Sequence, residues 1–111
     1  MSKIKHIILT IKGVQWKVFI QTPAAYRRMH GSDSSAIMYP EDRELYFKKD
    51  HLKFGTVCHE LLHCYIASSG TMSADMKASQ MEEHICELME DHIFDLLNDA
   101  KRVIDFIAKE K

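Results

Sequence analysis

The run His59-Glu60-Leu61-Leu62-His63 sets two imidazoles four residues apart, with a carboxylate directly after the first. On an α-helix, residues four apart lie one turn apart on one face, so both rings can reach a single ion. Glu60 can then take a proton from water polarised by that ion, the general-base role in a hydrolase. With 7 His and 8 Glu in 111 residues, chance placement gives roughly 0.03 such five-residue patterns. Apolar Val57, Leu61, Leu62 and Ile66 put the run inside a helix. The plain alternative is a pair of solvent-facing histidines on an amphipathic helix.

Catalytic zinc takes three protein ligands and leaves a fourth position open. Ser69 and Gly70 stand where a longer His-rich motif would continue, so the third ligand is sought downstream, among Glu82, Glu83, His84, Glu87, Glu90 and His92. Helical phase ranks them. With Ile85 at 0° and about 100° per residue, Leu88, Met89, Leu96 and Ala100 all fall within about 60° of it. Glu82 falls near 60°, whereas Glu83 is near 160° and Glu87 near 200°. A carboxylate on a buried face is costly unless it is paired or metal-bound. The phase therefore predicts Glu82 as the third zinc ligand, with Glu83 second. A helix-end Glu82 that reaches into solvent is the competing reading. Tyr39, Tyr46, Tyr65, His84 and His92 could each donate to an oxyanion, and the sequence does not choose among them.

The elements that must hold these residues are strands first and helices second. Lys3 to Thr10, led by Ile4, Ile7, Ile8 and Leu9 with Ile11 beyond, and Val14 to Gln21 carry β-branched and alternating apolar residues around Lys12-Gly13, which predicts a β-hairpin. Thr22-Pro23 has the form of an N-cap with proline at the first helical position, and Gly31 closes a short helix. Ala36 to Tyr39 and Glu44 to Lys48 read as short strands around the turn Pro40 to Arg43. A helix from about Asp50 to Ser68 carries the motif, with Gly55 signalling close packing or a later start. Thr71 to Asp75 connects it to one long helix, or two joined ones, from Ala74 to about Ala108. The predicted fold is α+β, one domain over residues 1–111. A small N-terminal, mostly antiparallel sheet with a short helix precedes the motif helix and a long C-terminal helix.

Residues 1–53 hold 10 Lys/Arg against 5 Asp/Glu, and residues 54–111 hold 5 against 11. The basic residues stand singly along strands, which reads as a solvated face rather than a nucleic-acid surface. No stretch approaches the ~18 uncharged residues of a membrane span. The opening Met-Ser-Lys-Ile-Lys-His lacks a signal peptide's apolar region. Cys58, Cys64 and Cys86 cannot all pair within one chain. Reduced thiols and a cytoplasmic setting are the expectation.

The motif, followed after a loop by a helix opening Met81-Glu82-Glu83-His84-Ile85-Cys86-Glu87-Leu88, resembles the HExxH zinc metallopeptidases of gluzincin type. It is most similar to the very small metallopeptidase-like proteins often encoded by bacteriophages. The resemblance spans roughly Ala36 to Leu97, its specific part being the motif and the Glu-bearing helix. It implies a zincin-like fold, Zn2+ at His59, His63 and Glu82, Glu60 as base, and a peptide or protein substrate. It also implies that the strand at Leu45 to Phe47 borders the cleft and pairs with an extended peptide. Cys86 stands where larger members carry an Asp that orients a zinc-bound His, and no second subdomain walls a cleft. The alternative is a zinc-binding, catalytically weak or degenerate relative that works by binding a partner protein.

Overall fold

The computed structural model describes residues 5–50, 52–70 and 77–109. Among them the elements run β1 (His6–Ile11), β2 (Val14–Gln21), α1 (Pro23–His30), β3 (Ala36–Tyr39), β4 (Glu44–Lys48), α2 (Phe54–Ser69) and α3 (Ala78–Lys109). The fold is α+β, a four-stranded sheet with three helices, ordered β1-β2-β4-β3. No helix among the described residues is long and apolar enough to cross a membrane.

The β1–β2 hairpin turns at Lys12 (φ 51) and Gly13 (φ 78). Two successive positive φ values give the turn whose twist matches that of the strands it joins. At α1, Thr22 Oγ1 accepts from the Ala25 N–H at 3.3 Å, Pro23 opens the helix, and Gly31 closes it at φ 63. The Gly31 N–H donates to the Arg27 carbonyl, the helix ending that glycine adopts without steric cost.

The sheet is mostly antiparallel, as expected, but mixed through one parallel pairing. β1–β2 and β3–β4 are antiparallel, but β2–β4 is parallel, with Val18 opposite Leu45. The chain crosses one face as α1 and makes β3 before β4 enters beside β2 in the same direction. One face of the sheet carries Leu9, Ile11, Trp16, Val18, Leu45 and Phe47 and packs under α2 and α3. The other carries Phe19 and Tyr46, stacked at 4.5 Å, under Tyr26 of α1. Alternation along each strand produces both cores, since successive side chains point to opposite faces.

Two helix starts differ from the sequence expectation. Asp50 does not cap α2. Leu52 packs on the main core, Lys53 is extended at φ −105 and ψ 156, and the helix begins at Phe54 with no side-chain cap. Gly55 is thus the second helical residue, and the space beside its Cα is open. A later start explains it, and close packing does not. Lys77 lies outside α3, so that helix begins at Ala78 rather than Ala74. The Lys77 N–H donates to Gln80 Oε1 at 2.9 Å, half of a capping box. The predicted connection Thr71 to Asp75, and Ala74 itself, fall outside the described residues. From Ala78 onward α3 is one unbroken helix of 32 residues.

Candidate active site

α2 presents the motif. Its buried side is Val57, Leu61, Cys64 and Tyr65, spaced four, three and one apart, an apolar stripe of helical period. At about 100° per residue, His59 and His63 fall on the opposite side, within about 40° of each other. The His59 side chain is 68% exposed, and the two rings stand 5.1 Å apart at 76°. Glu60 lies on the flank between this outer side and Cys64. Its side chain is 19% exposed, and its Oε1 is 4.0 Å from His59 Nε2.

That flank faces the sheet edge. Cys64 Sγ is 3.8 Å from Met38 Sδ on β3. Burial, then the negative charge of Glu60, pushes the Cys64 thiol up to about 12. The Glu60 charge also contributes to raising the Tyr26 phenol, behind burial as the main cause. Among the described residues β3 pairs only with β4, and β4 is flanked by β2 and β3. This corrects the expectation for Leu45 to Phe47. Both sides of β4 are hydrogen-bonded, so no peptide can add there; the free edge beside Glu60 belongs to Ala36–Tyr39. The Ala36 carbonyl turns to that edge and accepts from Ser34 Oγ at 3.1 Å.

The histidine pair fits a shared zinc. Imidazoles bound at about 2 Å around a tetrahedral ion hold their ring centres about 5 Å apart. The third ligand does not assemble. Glu82 and Glu83 are both exposed, and no group of three or more His, Cys, Asp or Glu among the described residues is arranged to hold a metal ion. The cause is axial position, which a phase argument does not contain. Ser69, the last residue of α2, is level with His84, whose Nε2 lies 3.1 Å from Ser69 Oγ. Tyr65 lies beside His92, ring centres 5.9 Å apart, so the helices run antiparallel. Glu82 therefore sits beyond the end of α2. At 1.5 Å per residue, it is about 12 Å along the axis from His63 and about 18 Å from His59. A glutamate side chain spans less than half of that. Glu82 has the phase of the buried face but is exposed, and no described residue of α2 reaches its level.

The candidate oxyanion donors are engaged elsewhere. Tyr46 donates to Glu44 Oε1 at 3.1 Å, and Tyr65 donates to Asp99 Oδ2 at 2.8 Å. His84 meets Ser69, and His92 Nδ1 lies 3.4 Å from Asp95 Oδ2. Tyr39 belongs to a cluster the sequence did not single out. His30 Nδ1 is 2.7 Å from the Tyr39 hydroxyl, and its Nε2 is 2.9 Å from Gln21 Oε1. The amide oxygen can only accept, so Nε2 carries the proton and Tyr39 donates to Nδ1. Burial lowers the His30 pKa. Gln21, His30 and Tyr39 come from three elements, so no local spacing could have revealed them. Cys58, Cys64 and Cys86 are all free thiols, with Cys64 buried in the core.

Compared with known proteins, the chain matches no family model, no curated protein and no solved structure.

Proposed function

We propose that this chain is a small zincin-like, gluzincin-related hydrolase that cleaves peptide bonds in a zinc-dependent reaction, with Glu60 as general base. His59 and His63 would supply two of the zinc ligands, and no third protein donor joins them among the described residues. The observation that carries the reading is their ring separation of 5.1 Å, with Glu60 Oε1 4.0 Å from His59 Nε2. A zinc held there would supply Lewis acidity to a carbonyl. Glu60 accepts the proton of the attacking water and returns it to the departing amine. An extended substrate adds as a strand to Ala36–Tyr39, the sheet edge that α2 meets through Cys64 and Met38. Glu82 stays outside the ligand set for the axial reason above.

A second reading has its own support. The histidine pair faces outward and no third donor joins it among the described residues, which favours a zinc-binding protein that contacts a partner without turnover. One experiment separates the two. Zinc binding is measured by calorimetry and turnover on a peptide library, for the wild type, Glu60→Gln and His63→Ala. The peptidase reading expects zinc bound by wild type and Glu60→Gln, lost in His63→Ala, and turnover in the wild type alone. Zinc binding without turnover in any of them supports the partner-binding reading. Absence of zinc binding in the wild type ends both.

A further inference from the structure

α3 extends for about 48 Å at 1.5 Å per residue, as long as the 46 Å long axis of the molecule. Leu88, Leu96, Ala100 and Val103 face the core. On the side turned away from it, Phe94 is 77% exposed and Leu97 37%. A benzene ring left largely in water forgoes the roughly 25 cal/mol per Å² that burial of apolar surface supplies.

The residues around it have a pattern. Glu87, Glu90, Phe94, Leu97 and Lys101 succeed one another at steps of three and four, the spacing of a coiled-coil seam. The seam is charged with opposite signs on its two sides. Glu87 and Glu90 precede the apolar pair, and Lys101 follows it. Turning a second helix end for end about the midpoint of Phe94 and Leu97 places Phe94 on the partner's Leu97 and Glu90 on the partner's Lys101, each contact occurring twice. A parallel pair in the same register would instead put Glu90 on Glu90 and Lys101 on Lys101.

We propose that this seam of α3 is a homodimer interface, in which two copies pair antiparallel with Phe94 and Leu97 at the centre and Glu90–Lys101 contacts on either side. The occupant is a second copy because the charge pattern is complementary to itself under a two-fold axis, as an isologous contact requires. The interface is small, so the dimer is weak and concentration-dependent.

Sedimentation velocity across a concentration series tests it, with a chelator present so that exposed His59 and His63 cannot bridge copies through stray zinc. The wild type shifts from monomer to dimer as concentration rises, and Phe94→Ala stays monomeric. Glu90→Lys and Lys101→Glu each weaken the dimer at least about tenfold, because each turns two attractive contacts repulsive. The double variant Glu90→Lys/Lys101→Glu restores it. All of these side chains are exposed or part-exposed, so melting of the monomer serves as the fold control. A wild type that stays monomeric at every concentration overturns the proposal. So does a dimer indifferent to the single reversals, or a double variant that does not recover.

Discussion

The Tyr65 hydroxyl is the polar lock between the motif helix and α3, and its removal has a computable cost. The ring is 1% exposed, and the hydroxyl donates to Asp99 Oδ2 at 2.8 Å. Asp99 is half-buried; burial raises its pKa, and the Tyr65 bond opposes that rise. In Tyr65→Phe the opposing bond is gone. A hydrogen bond to a charged group contributes about 1.5–3 kcal/mol, and water reaching Asp99 recovers part, so the variant loses about 1–2 kcal/mol at pH 7. For a domain of this size, that lowers the melting temperature by roughly 5–10 °C. The pH dependence has a definite sign. With its folded pKa above the unfolded one, Asp99 binds a proton more readily in the native state. Its contribution is fully present below the unfolded pKa and is lost as pH rises through the folded one. Tyr65→Phe raises the folded pKa further, so the variant's deficit grows as pH rises out of the carboxylate range. In acid, where Asp99 is neutral in both states, the deficit shrinks to about 0.5–1 kcal/mol, the worth of a neutral hydrogen bond. Urea unfolding of both proteins at pH 7 and in acid reads this directly. An equal loss at both pH values, or none at pH 7, refutes the reasoning.

Burial holds His30 below its usual pKa, so the neutral ring's stabilisation is complete above the unfolded pKa and is lost as pH falls. Wild-type melting temperature should drop on acidification through about pH 6 and below, and His30→Ala should flatten that segment of the pH profile. Leu61, fully buried on the side of α2 opposite the motif histidines, should cost about 2–5 kcal/mol on replacement by Ala, read by chemical denaturation; a loss under 1 kcal/mol would contradict its place in the core. Gly31→Ala should cost about 1 kcal/mol from backbone strain at φ 63 alone, since a Cβ there meets nothing within 4 Å. A thermal melt unchanged by that substitution would count against the left-handed helix ending.

Local chemistry in the sequence determined much of this molecule. Lys12-Gly13, Thr22-Pro23 and Gly31 act within a few residues of themselves, so the hairpin and both ends of α1 were legible before any tertiary contact. Four-residue spacing alone put His59 and His63 on one helical face, because a helix is periodic wherever it lies. Tertiary structure decided everything that depends on where one element stands against another. Helical phase is an angle and carries no height, so it gave Glu82 the correct side of α3 but could not say that α2 ends below it. Alternation fixes which face of a strand is apolar but not which strand is its neighbour, so the open edge passed from β4 to β3. The cluster of Gln21, His30 and Tyr39 exists only because the crossover stacks α1 on the sheet. No rule of sequence spacing reaches across that fold.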